Sequence, residues 1–170
     1  MKKLLSLFII ATAFTSCDSS VESEKIAGNW LLEDSRFEKG YMAGDQSDYD
    51  LVKKFLDAYE NMDPQGMVDL SAETVKFHPA DIGGVFDVDM TNTDFIVERQ
   101  SNWDSISRNY IFIMPLKMED SENRVVTTAF TETRYIKDGS SESINFYERL
   151  YINEQDKIMR VVQYSRPPND

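Results

Sequence analysis

Residues 51–79 read LVKKFLDAYENMDPQGMVDLSAETVKFHP, and the succession of signals in this stretch decides the fold. Leu51, Phe55, Tyr59 and Met62 recur at spacings of three and four, which lays them along one stripe of an α-helix. Just upstream, Ser47 and Asp50 form the S-x-x-D arrangement of a capping box, so the helix is expected to open at Ser47. Asp63-Pro64 then closes that helix and starts another. Aspartate suits the N-cap, and proline at the first helical position lacks only an N–H that would have no intrahelical partner. Met67 and Leu70 give the second helix an inner side, and Val75 to His78 follow as a short strand stopped by Pro79.

Downstream, Gly83-Gly84 precedes a second short strand near Val85 to Val88. Ile96, Trp103 and Ile106 are spaced to line one side of a third helix, expected over residues 93–107. The last third is rich in β-branched and aromatic residues and predicts strands at 110–118, 124–135, 142–152 and 158–165. Short turns at 120–123, 137–140 and 153–156 join them. Connections this short make an antiparallel meander, because parallel neighbours need crossovers of a dozen residues or more. Helices first and a sheet last is an α+β plan. Upstream, in residues 26–46, Ile26, Trp30, Leu31 and Leu32 fit a short helix or a strand equally well, before a loop around Gly40 and Gly44.

At the start of the chain Lys2 and Lys3 precede an apolar run, Leu4 to Phe14, that ends at Thr15, Ser16 and Cys17. The run is too short to span a bilayer. A basic start, a short apolar segment and small residues before a cysteine resemble a bacterial lipoprotein signal, with phenylalanine at position 14 where leucine is commoner. The resemblance implies a signal peptide over 1–16 and acylation of Cys17, the only cysteine, which leaves no intrachain disulfide in an exported protein. Acyl chains hold a domain on a membrane because each buried methylene contributes roughly 0.8 kcal/mol. Residues 18–25, DSSVESEK, are a polar tether with a reach of about 26 Å at ~3.3 Å per residue. The organisation expected is therefore a signal at 1–16, a lipidated cysteine, tether and N-terminal segment at 17–46, and one domain at 47–170. The location expected is the cell envelope, on a membrane through Cys17.

The 170 residues carry a formal net charge of −12, and removal of Lys2 and Lys3 with the signal makes it more negative. Such a surface repels nucleic acid and anionic headgroups, which disfavours both as partners, and no nucleic acid is expected. No Gly-rich phosphate loop, G-x-S-x-G, H-E-x-x-H or paired C-x-x-C occurs, so no cofactor or metal is expected. Asp81, Asp87 and Asp89 lack the spacing of a calcium loop and fit a solvated edge.

The order helix, helix, two short strands, helix, four long strands resembles the nuclear transport factor 2 superfamily (NTF2-like), which includes SnoaL-like and ketosteroid isomerase-like proteins. The likeness rests on residues 51–79 and on YERLYINEQDKIMRVVQYSR at 147–166. It implies a cone of three helices on a strongly curved, mainly antiparallel sheet, with a pocket on the concave side. It implies no single activity, because this cone serves enzymes and non-catalytic binders alike. The general base of the ketosteroid isomerases falls on His78, and their two oxyanion donors fall on Phe55 and Glu148. Phe55 has no hydrogen to donate to an oxyanion, which counts against that activity. The family also commonly pairs through its convex sheet face, so a homodimer is expected, with Val126, Phe130 and their neighbours as its apolar patch if they face outward.

His78, the only histidine, and Glu148 are the candidate acid–base pair. Glu148 lies in the alternation Ile144, Phe146, Glu148, Leu150, Ile152, which is more apolar than the alternate face Asn145, Tyr147, Arg149, Tyr151; if it is the inner face, the carboxylate sits in an apolar pocket with its pKa raised by desolvation. Phe55, Tyr59, Trp103, Tyr135, Phe146 and Tyr164 are the candidate pocket walls. Arg134 and Arg149 are expected to form surface pairs with Glu132 and Glu148. The reading is a membrane-tethered domain that binds a small apolar ligand or a protein partner without catalysis. An isomerase or dehydratase using His78 and Glu148 is the alternative. A weaker alternative, a lipocalin-like binder, comes from Gly28-Asn29-Trp30, which resembles the G-x-W that opens such barrels, although the expected helices do not fit an all-strand barrel.

Overall fold

The computed structural model describes residues 26–29, 31, 33, 34, 38–122 and 124–167. The expected signal peptide, Cys17 and the expected tether lie outside the described residues, as do Trp30 and Leu32. In chain order the elements are β1 (Ile26–Asn29), β2 (Gly40–Ala43), α1 (Gln46–Glu60), α2 (Pro64–Leu70), β3 (Ser71–His78), β4 (Phe86–Asp89), α3 (Asp94–Gln100), β5 (Trp103–Met118), β6 (Arg124–Ile136), β7 (Ser141–Ile152) and β8 (Ile158–Arg166).

Of the stripe read from the sequence, Phe55 and Tyr59 are buried on the inner face of α1 with Val52 and Leu56, while Leu51 is half-buried and Met62 lies just beyond the end of the helix. The capping box does not form. Asp45 is the N-cap, Asp50 is held by Gln46 Nε2 at 2.9 Å, and Ser47 falls inside the first turn. Asp48 in that same turn is buried against Arg124 of β6, at 3.0 Å from Nε, which ties the start of the helix to the sheet. The start of α2 follows expectation: Asp63 is its N-cap, Pro64 is its first residue, and Asp63 Oδ1 accepts from Gly66 N at 2.9 Å.

The third helix is shorter than its spacing predicts. It stops at Gln100, whose Nε2 donates to Tyr59 O at 2.9 Å, and Trp103 and Ile106 belong to β5 instead. The reason is cross-strand pairing. The sixteen-residue β5 runs along β6 from Trp103 opposite Ile136 to Lys117 opposite Arg124. Against that ladder, two apolar residues at helical spacing are a weak preference. The N-terminal segment resolves as strand: β1 pairs with β2, and Gly40 lies in β2, not in a loop.

The sheet has the order β1-β2-β5-β6-β7-β8-β3-β4. The four long strands form the expected antiparallel meander, and the one parallel contact in the sheet joins β3 to β8. The sheet is curved and unclosed, with β1 and β4 at its edges, and three helices accompany it. That is at odds with the barrel suggested by Gly28-Asn29-Trp30.

Residues opposite one another in the ladders share a face, so the register sorts the side chains. One set of rows runs Tyr110–Phe130–Phe146–Ser165, Ile113–Thr128–Glu148–Gln163 and Pro115–Val126–Leu150–Val161. These rows face the helices, and Val126 and Leu150 pack in one core with Val52, Leu56 and Ile158. Each such side chain contributes roughly 1.5–3 kcal/mol when fully buried. The alternate rows, including Phe112–Ala129–Tyr147–Tyr164 and Met114–Thr127–Arg149–Val162, form the outer face. Val126 and Phe130 are both 0% exposed on the inner side, so they cannot be the outward patch expected for a dimer.

Candidate functional site

Between the inner face and the helices lies a cavity of about 70 Å³. Its apolar wall comes from Phe55, Leu56 and Tyr59 of α1, Met67 of α2, Val75 and Phe77 of β3, Val88 and Met90 near β4, and Phe95 and Ile96 of α3. The cavity therefore exists because each element turns its apolar residues inward, yet three short helices do not fill the concavity of a curved sheet. Its polar residues are Ser71, Arg99, Arg108, Glu148 and Gln163.

Glu148 of β7 stands opposite Gln163 of β8, and Gln163 Nε2 donates to Glu148 Oε1 at 2.6 Å. Burial raises the Glu148 pKa above its ordinary value of 4.5, outweighing the pull of Arg108 and the Gln163 bond. Gln163 Oε1 is sealed from solvent without a hydrogen-bond partner. Beside this pair runs a buried chain of charges. Arg108 holds Glu132 through Nε at 2.8 Å and Nη2 at 2.6 Å, and Arg134 Nε holds the other oxygen of Glu132 at 2.6 Å. The Arg108 guanidinium stacks on Tyr59 at 4.6 Å and Phe130 at 4.5 Å, that of Arg134 on Trp103 at 4.5 Å. Burial opposes the charge on Arg108, but Glu132 beside it leaves its pKa raised. Desolvation, reinforced by Glu132, pushes Tyr59 up to about 12, so its hydroxyl stays protonated.

Of the residues singled out in the sequence, Phe55, Tyr59 and Glu148 meet at the cavity. His78 does not join Glu148. In β3, Val75 and Phe77 point into the cavity, so strand alternation turns His78 to the outer face, where its Nε2 accepts from Arg160 Nε at 3.1 Å. Desolvation, with Arg160 and Lys76 nearby, lowers its pKa. Trp103 packs edge-on against Tyr59 behind the cavity wall. Tyr135 and Tyr164 lie on the outer face at 46% and 60% exposed, and Phe146 is buried in a separate stack with Phe130, centroids 5.6 Å apart. Arg134 does pair with Glu132, but in the interior and not at the surface. Arg149 points away from Glu148, since neighbours along a strand face opposite ways, and donates to Tyr41 Oη at 3.2 Å. Arg99, Arg108 and Gln163 were not singled out. The alternation Ile106, Arg108, Tyr110 would have shown Arg108 facing inward, had residues 103–107 been read as strand.

Asp87 pairs with Lys76, Asp81 with Arg99, and Asp89 receives Thr91 and Asn92. Among the described residues no cluster of histidine, cysteine, aspartate or glutamate could hold a metal ion, and no helix is long and apolar enough to cross a membrane.

Three helices on a large, mixed, unclosed and curved sheet, with a cavity on the inner side, define an α+β cone. No family model matches the sequence, and no curated protein matches it either. Solved structures do. An NTF2-like protein from Anabaena variabilis aligns over 75% of this chain and 96% of its own, at 12% identity and a TM-score of 0.57. A candidate SnoaL-like polyketide cyclase from Shewanella denitrificans aligns over 72% and 92%, at 8% identity and a TM-score of 0.55. An LEH-like epoxide hydrolase from Mycobacterium tuberculosis aligns over 71% and 83%, at 12% identity and a TM-score of 0.54. The chain has the NTF2-like fold. At such identities the likeness extends to the fold alone, and the names of the neighbours differ in chemistry.

Proposed function

We infer that this protein is a membrane-tethered binder that takes a small, largely apolar ligand into the cavity of the cone without converting it. The observation that carries the reading is the cavity itself: an apolar wall with the Glu148–Gln163 pair set into it. An apolar site with a few polar groups that fix orientation is the usual make-up of a small-molecule pocket. Its volume of about 70 Å³ suits a compact ligand, since a water-sized group needs ~10–15 Å³ on this measure. Glu148, with its pKa raised, is a hydrogen-bond donor when protonated and meets a carbonyl, ether or hydroxyl oxygen. Turnover by an acid–base pair has no support from His78, which faces the other side of the sheet.

A second reading is favoured by one observation. A lone carboxyl with a raised pKa in an apolar cavity is also the make-up of a general acid, and two of the similar structures bear enzyme names. The membrane address rests on the resemblance of residues 1–17 to a lipoprotein signal.

The methionines provide the test. Met67 and Met90 line the cavity, whereas Met114 and Met159 are exposed elsewhere. With ¹³C-methyl methionine labelling, apolar metabolites extracted from the host are expected to shift Met67 and Met90 and leave Met114 and Met159 in place. Shifts confined to the exposed pair, or none at all, contradict a cavity ligand. Chemical change of the extract, abolished by Glu148→Gln, favours the enzyme.

A further inference from the structure

The outer face of the sheet has a chemistry of its own. Four of its rows across β5–β8, from Asn109–Arg166 to Leu116–Arg160, contain no carboxylate, although the chain has 30 Asp and Glu against 18 Lys and Arg. The same rows hold Arg149, Arg160 and Arg166. Arg149 donates to a tyrosine hydroxyl and Arg160 to His78, and none of the three has a carboxylate partner among the described residues. Arg149 Nε is buried with no partner at all. Alongside them lies a strip of exposed rings: Phe112 at 38%, Tyr147 at 42% and Tyr164 at 60%, with successive centroids 6.3 and 6.4 Å apart. A groove of about 380 Å³ opens at one end of the strip, lined by Asn145, Tyr147, Tyr164 and Arg166 of this face and by Phe130, Phe146 and Ser165 of the neighbouring inner row. That volume lies within the ~300–1,000 Å³ of small-molecule sites.

We propose that this groove binds an acidic oligosaccharide, with sugar rings stacked on Tyr147 and Tyr164 and a carboxylate paired to Arg166. The weakly positive C–H faces of a sugar suit the negative faces of tyrosine rings. Its hydroxyls suit the amide of Asn145. A carboxylate matches the planar fork of an arginine that has no acid of its own among the described residues. The charge argument selects this occupant over a second copy. A two-fold axis through these four rows would set each copy's arginines against the other's, and the rows themselves hold no acid to receive them. An acidic peptide is less suited, because peptides dock on sheet edges or in helix-sized grooves more than across a sheet face.

The test is titration of oligogalacturonate into the full chain in detergent, followed by intrinsic fluorescence, with a malto-oligosaccharide of equal length and hexaglutamate as comparators. Saturable binding of oligogalacturonate is expected, weakened by salt, with none for the neutral sugar. Arg166→Gln and Tyr164→Ala should each weaken it by roughly tenfold. Both side chains are exposed, so an unchanged melting temperature will show that the variants fold. No saturable binding, or binding that both variants leave unchanged, overturns the proposal. Equal binding of hexaglutamate overturns it in favour of an acidic peptide. A dimer in sedimentation equilibrium that Tyr164→Ala disperses overturns it in favour of a second copy.

Discussion

Glu148 shows how burial sets the behaviour of a single residue. Its carboxyl is 2% exposed and accepts from Gln163, yet desolvation outweighs the help of Gln163 and Arg108 and raises its pKa. The folded state therefore holds the proton more tightly than the unfolded chain, whose pKa is the ordinary 4.5. As pH rises through 4.5 the unfolded chain releases the proton first. The contribution of Glu148 to stability thus falls with rising pH until the folded group ionises too. Glu148→Gln removes that titration. The difference in urea midpoint between variant and wild type is expected to move in the variant's favour as pH increases above 4.5. A difference that does not change with pH contradicts the account. Legibility at this scale followed from alternation: the even positions of residues 144–152 are the more apolar, which favours Glu148 inside, and the structure buries it there. His78 failed for the same kind of reason. A strand end before a proline gave its position along the chain but not its face, and the facing of Val75 and Phe77 settles that.

Among the elements, α2 has the most local logic. Asp63 caps it through Gly66 N, and replacement by alanine should reduce stability by about 1 kcal/mol in chemical denaturation. Gly66 is the sharper probe. In a helix interior, Gly→Ala ordinarily stabilises by up to ~1 kcal/mol. Here a Cβ would run into the Asp63 carboxylate that makes the cap, so Gly66→Ala is expected to destabilise. Stabilisation of the usual sign would show that the cap contributes little. Elements fixed by local signals were legible in the sequence: the stripe of α1, the Asp-Pro start of α2, and the turns of the meander. Elements fixed by distant partners were not. The end of α3 depends on pairing of residues 103–107 with β6, and the start of α1 on Arg124, 76 positions further along the chain. Residues 26–29 gain strand character only from β2, itself laid on β5.

For the molecule as a whole, the fold separates two chemistries across one sheet. The inner face holds the buried acids Glu132 and Glu148, matched by Arg108, Arg134 and Gln163 around a cavity. The outer face carries rings and arginines. A tether on Cys17 would keep both faces near a membrane while leaving them accessible. Cys17→Ser is expected to move the protein from the membrane pellet to the supernatant after ultracentrifugation, and retention in the pellet contradicts the acyl anchor. The central claim is that the cavity holds a ligand, and native mass spectrometry of the full chain, purified gently from its own host and compared with the denatured mass, tests it most directly. The account predicts an added mass of defined value that is lost on denaturation and absent from a cavity-filling variant such as Val75→Phe. A mass identical in both states, for protein taken directly from its host, would contradict it.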